Sequence, residues 1–232
     1  MIKVMATGGI STPGNPGASQ LTFEEMTAAV GEAHQHGLSV AAHAHTSAGI
    51  RTALEAGVDT IEHAALVDDL GLQLLLKHDA TLVPTVSALN NIAPGLGIPE
   101  ATVRKSLAAR DQYRDSTRRA ITAGVRIAAG TDAGTALNPI GGLVDELVMY
   151  CEAGMSAADA LRAATVTAGD VVGSALGVLD VGRPADVIVV TDDPRSSVEA
   201  LRSPVHVVSR GRLVPMAWIE ETLDELATVV TA

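Results

Sequence analysis

The strongest constraint on this chain is a rhythm. Apolar runs of strand length alternate with longer stretches of helical period, the signature of βα units laid on a parallel sheet. The runs are MIKVMA (1–6), LSVAAHAH (38–45), DTIEHA (59–64), ATLVPT (80–85) and VRIAAGTD (125–132). Helices are expected between them. LTFEEMTAAVGEAHQHG opens with Thr22 and Glu25 as a capping box and closes at Gly37. SAGIRTALEAG and DDLGLQLLLKHD follow, then a long amphipathic stretch from Pro99 to Gly124. Two more helices, IGGLVDELVMYCEAG and SAADALRAATVTAGDVVG, complete this part.

From about residue 176 the character changes. LGVLDVG, ADVIVVTDD, PVHVVSRG and RLVP are short strand-like pieces cut by Gly, Pro and Asp, followed by an amphipathic helix over roughly 216–230. The organisation expected is an α/β unit over 1–175 and a small β unit with a C-terminal helix over 176–232. Aromatic residues are only 2% of a chain that is 47% hydrophobic, so Ala, Val, Leu and Ile must build the core.

Composition narrows the partners. The net charge is −11, from 16 Lys+Arg against 27 Asp+Glu, with no basic cluster to hold nucleic acid or an anionic membrane. No apolar run approaches the roughly 20 residues of a membrane-spanning helix. The single cysteine, Cys151, rules out a disulfide within the chain and suits a reducing compartment, so a cytoplasmic protein is expected. A nucleotide-binding α/β domain is disfavoured. The glycine-rich MATGGISTPG matches neither GxGxxG nor GxxxxGK[ST], and its helix starts late, near Thr22.

Chemistry gathers at the strand ends. His43, His63 and Asp132 fall at or near the C-terminal ends of their strands, where β/α barrels carry their sites. Strand alternation puts His43 and His45 on one face, and the long stem of Lys3 can reach up from the first strand. Imidazole and carboxylate are ligands that Zn²⁺ takes, usually with one position left to water. Taken singly, each of these residues is more often structural. Their joint placement is what points to a site. His34, His36 and His78 fall in or at the ends of helices and read as surface residues, while His206 lies away in the β unit.

IKVMATGG, VAAHAH, AGVDTIEHA and AGVRIAAGTDAG, followed by LGVLDVGRPADVIVV, resemble the amidohydrolase superfamily, closest to its imidazolonepropionase-like and Xaa-Pro dipeptidase-like members. The resemblance spans about residues 1–214. It implies the C-terminal five βα units (strands 4–8) of a TIM-type (β/α)8 metal-dependent hydrolase barrel, plus part of a small β-sandwich. It also implies that Lys3 is carboxylated by CO₂ and bridges two metal ions. His43, His63 and Asp132 would be further metal ligands, Asp132 would handle the proton of the attacking water, and His45 would lie near substrate. The metal implied is Zn²⁺, with Fe²⁺ or Mn²⁺ suiting the same ligands, and the reaction is hydrolysis of an amide-like C–N bond in a small or dipeptide-like substrate.

The resemblance also implies something lacking. The family's first-strand His-x-His pair has no counterpart ahead of Lys3, so the first three βα units are expected to be absent. Open sheet edges would then favour association with another copy of the chain or with a separate N-terminal half. A non-catalytic remnant acting as an oligomeric or binding protein is the alternative reading. A third is a mononuclear enzyme using Lys3, His43, His63 and Asp132 alone.

Overall fold

A computed structural model describes residues 1–9, 15, 17–90, 92, 97, 99–134, 138, 140–173, 176–217 and 219. Four parallel strands form its sheet in simple sequence order: β1 (Ile2–Met5), β2 (Val40–Ala44), β3 (Thr60–His63) and β4 (Thr81–Val83). The register sets Lys3 beside Ala41 and Ala41 beside Thr60, with His43 between Met5 and Glu62. The fifth expected strand shrinks to one parallel bridge, Leu82 to Ile127. Leu82 N–H donates to the Arg126 carbonyl at 2.9 Å and Ala128 N–H to the Leu82 carbonyl at 3.0 Å. The next amide, Ala129, turns away to the carbonyl of Ala163. The ladder ends there because its next donor is taken by the Ala163 carbonyl.

The helices fall where the apolar period puts them. They are α1 (Phe23–Gln35), α2 (Ser47–Glu55), α3 (Asp69–Lys77), α4 (Glu100–Ala123) and α5 (Leu143–Glu152). The capping box at Thr22 is complete: its hydroxyl accepts from Glu25 N–H at 3.2 Å, and the Glu25 carboxylate accepts from Thr22 N–H at 2.8 Å. Gly124 ends α4 at φ 77°, a conformation open to glycine without steric cost. The helix expected over 156–173 is a composite of α6 (Ala157–Arg162), a π turn at Ala163–Thr167 and α7 (Ala168–Val171).

One face of the sheet makes the core. Val40, Ala42, Ala44 and Ile61 lie fully buried against Met26, Val30, Ile50, Ala53, Leu54 and Leu75 from α1, α2 and α3. The opposite face carries Lys3, His43 and Glu62. That division follows from the two-residue period of a strand.

Beyond α7, β5 (Val187–Val189), β6 (His206–Ser209) and β7 (Arg212–Val214) form an antiparallel sheet. The strand expected over 176–182 does not form, and Leu179 and Val181 stand exposed there. Alternating apolar residues make a strand only where another strand is present to pair with them. The helix expected over 216–230 lies almost wholly outside the described residues. A 3-10 turn at Val198–Arg202 ties this part to α5, with Val198 buried and Arg202 paired to Asp145 at 2.7 Å.

Candidate metal centre

The backbone prepares the site by strain. His63, Ala64, Thr85 and Asp132 all have positive φ, at 73°, 50°, 52° and 55°, although none is glycine. His63 closes β3, Thr85 follows β4, and Asp132 follows the bridged fifth segment. Left-handed backbone at such residues costs about 1–3 kcal/mol each and persists where surrounding contacts enforce it. At His63 it has a geometric result. The pairing places His63 beside Ala44, on the core side, yet its ring lies with His43 and His45.

The three rings form one cluster, with centroids 4.5 Å (His43–His45), 4.6 Å (His43–His63) and 4.9 Å (His45–His63) apart. One nitrogen from each lies within 4.8 Å of the other two. His63 Nδ1 meets Thr85 Oγ1 at 2.7 Å, and His45 Nδ1 meets the Tyr113 hydroxyl at 3.1 Å. His43 Nε2 is buried without a hydrogen-bond partner among the described residues, while its ring bonds the Gly8 backbone. His45 and His63 are thus held by Nδ1, and His43 keeps a buried Nε2 with no hydrogen-bond partner among the described residues. A buried ring nitrogen without a partner, beside two more imidazoles, is an acceptor set that suits a cation.

Electrostatics keep the rings neutral, the form that ligates. Burial lowers all three: His63 well below the usual histidine range, His45 to about 3, and His43 in the same direction. Mutual repulsion among the rings and Lys3 adds to the effect at His63.

Lys3 and Asp132 stand beside this cluster. Lys3 Nζ is 3.9 Å from Glu62 Oε2, reaching across β2 where Ala41 is too small to intervene. Burial lowers the Lys3 ammonium, opposed by Glu62 and then Asp132. Burial raises both carboxyls, and Lys3 opposes this in each. His45, expected near substrate, sits inside the histidine cluster. Glu62 and Tyr113 belong to the same neighbourhood and were not expected from the sequence. Glu62 had a signal, since it directly precedes His63 on the sheet face that carries Lys3. Tyr113 had none, since it reaches the cluster from a distant helix.

The helix α4 brings Tyr113 across the ends of β2 and β3. Ser116 Oγ donates to the Ala65 carbonyl at 2.7 Å, and Arg119 donates to the Val67 carbonyl at 2.6 Å. Below it, Thr7 Oγ1 accepts from His45 N–H at 3.0 Å.

A parallel sheet with histidines converging at its C-terminal ends is the construction of metal-handling α/β hydrolases. Residues 1–214 match the Amidohydrolase family, and the chain belongs to it. It is 34% identical to the ochratoxinase of Aspergillus niger over 223 residues, which is 92% of this chain and 46% of that protein. An uncharacterised protein of Mycobacterium tuberculosis is 35% identical over 193 residues, 81% of this chain and 50% of that protein. Among solved structures, a Xaa-Pro dipeptidase with methionine in its active site superposes with a TM-score of 0.85 at 34% identity, covering 92% of this chain and 54% of that one. The chain therefore spans about half the length of the relatives it matches.

Proposed function

We propose that this chain carries the metal-binding side of a hydrolase for amide-like C–N bonds, its four strands and bridged fifth segment corresponding to strands four to eight of a β/α barrel completed by polypeptide outside these residues. The observation behind the reading is the convergence of three imidazoles, each bringing one ring nitrogen within 4.8 Å of the other two, with His43 Nε2 buried and unpartnered among the described residues. His43 and His63 would hold a divalent ion, with His45 near enough to join them or to meet the substrate. Lys3, once carboxylated, and Asp132 would complete a second position. Zn²⁺ suits these donors best, and Fe²⁺ or Mn²⁺ suit them too.

Such an ion would polarise the scissile carbonyl and acidify the attacking water. The protein's own groups do the rest. Asp132, exposed at the mouth, accepts the proton of that water and returns it to the departing amine. Lys3 must be neutral to take up CO₂, and burial moves it in that direction. The Tyr113 and Thr85 hydroxyls fix the ring planes of His45 and His63. The names of the relatives, a Xaa-Pro dipeptidase and an ochratoxinase, support a dipeptide-like or acylated amino acid substrate.

The test begins with metal. The chain, alone and with the N-terminal half of a full-length relative supplied in trans, is dialysed against Zn²⁺ and the bound ion counted. At least one equivalent is expected, lost in His43→Ala and His63→Ala. Hydrolysis of a dipeptide panel by the assembled species should vanish in Asp132→Asn. Absence of bound metal in both preparations would remove the reading and leave a non-catalytic binding protein.

A further inference from the structure

The most deeply buried carboxylate in the described residues is not at the sheet mouth at all. Glu146, on α5, is fully buried. Its Oε1 accepts from Val86 N–H at 2.8 Å and its Oε2 from Ser87 N–H at 2.6 Å. Those two amides are the first donors of the 3-10 turn Val86–Leu89, which starts directly after Thr85. A threonine at that position would ordinarily satisfy such donors with its own hydroxyl. Here Thr85 makes no side-chain capping bond, and its Oγ1 lies 2.7 Å from His63 Nδ1.

The exchange has a consequence. Because Glu146 reaches in from another helix and caps the turn, the Thr85 hydroxyl is released to hold the imidazole. Thr85 also sits at φ 52°, a poor conformation for a β-branched residue, so it needs outside support to stay there. The two glutamate hydrogen bonds fall on the two residues that follow it. A second link runs to Tyr150, one turn along α5, whose hydroxyl contacts Glu146.

We infer that Glu146 is a positioning residue for the metal centre: by capping the Val86–Leu89 turn it frees and orients Thr85 Oγ1, which fixes His63 with its proton on Nδ1 and its Nε2 bare. The inference rests on the reading of His63 as a ligand only for its consequence in metal affinity. The tautomer is a property of the metal-free chain.

The experiment uses ¹⁵N-labelled, metal-free chain. Long-range ¹H–¹⁵N correlation of the histidine rings should show His63 as the Nδ1–H tautomer. An Nε2–H signature in the wild type would overturn the inference at once, whatever any variant does. In Glu146→Gln one acceptor oxygen is replaced by an NH₂ facing a backbone N–H, so the His63 ring should shift to a mixture of tautomers. Zn²⁺ affinity should fall about tenfold or more, the range for loss of a ligand's outer partner. Thr85→Ala should do the same, and adding Glu146→Gln to Thr85→Ala should change affinity less than twofold, since both act through one hydroxyl. Leu147→Ala loosens the same helix while keeping the Glu146 carboxylate, and should leave the His63 tautomer intact. If Gln is not accommodated, Glu146→Asp, one methylene short of the turn, gives the same readout. An undiminished effect of the glutamate variant in the Thr85→Ala background would show a merely structural role. A wild type that binds no Zn²⁺ removes the metal reading, while the ring signals still decide the positioning.

Discussion

Three buried imidazoles packed together make the metal-free chain sensitive to acid. Burial drives each below its ordinary range, and His45 reaches about 3. Unfolded, the same rings take a proton near pH 6.5. Between those values the unfolded chain binds more protons, so stability falls as pH drops below 6.5 and is unaffected by these groups above it. At pH 5 the contribution of His45 alone comes to about 2 kcal/mol. Urea unfolding of chelator-treated protein at pH 7.5 and pH 5.0 should show a loss of at least this size, reduced in His45→Gln. Equal midpoints at the two pH values would contradict the burial of neutral rings. Zn²⁺ should restore the loss in part, because an ion on Nε2 competes with the proton.

Between elements, the site depends on close approach of helix and strand. Gly49 in α2 lies so near the segment following β1 that a Cβ there would collide with the Thr7 methyl. Thr7 is buried, β-branched and bonded to His45 N–H, so it has no easy retreat. Alanine raises helix propensity by up to about 1 kcal/mol over glycine, whereas overpacking a tight core costs about 1–3 kcal/mol. The clash wins, and Gly49→Ala should lower the urea midpoint and disturb the His45 ring signals. A midpoint at or above wild type would show that Thr7 yields freely. This coupling was not legible in the sequence, where Gly49 is merely a weak residue in a helix. The helices and strands themselves were legible, because the capping box at Thr22 and the apolar periods are local facts. The failures were long-range. The fifth strand lost its Ala129 donor to the Ala163 carbonyl, and the segment 176–182 found no strand to pair with. At the site, His43 and His63 could be read from their strand ends. Tyr113 could not, because it arrives on a helix 68 residues after His45 and crosses the mouth by tertiary contacts alone. Nor could Glu146, whose carboxylate meets the Val86 and Ser87 amides from a helix far along the chain.

The molecule as a whole presents one sheet edge that the described residues leave unpaired. Among them β1 pairs only with β2, and Met1, Ile2 and Met5 are all exposed along it. Flat apolar edges with free ladder groups recruit another strand. Lys3 is the one charge within β1, and it points at Glu62 rather than guarding the edge. The 232-residue chain on its own should therefore sediment as dimers or larger species at micromolar concentration. Ile2→Lys and Met5→Lys together should shift it toward monomer by placing charge on the pairing strand. Polypeptide carrying the N-terminal half of a related amidohydrolase, added in trans, should do the same by a different route, covering the edge and consuming the homo-oligomer. The two outcomes separate in the metal assay. Charged edge variants should bind no more Zn²⁺ than the parent chain, whereas a strand that completes the sheet beside Lys3 should raise the bound metal, since it closes the open side of the site. A chain that sediments as a monomer with both residues intact would mean that β1 is protected by something other than pairing, and the edge would then be no recruiting surface.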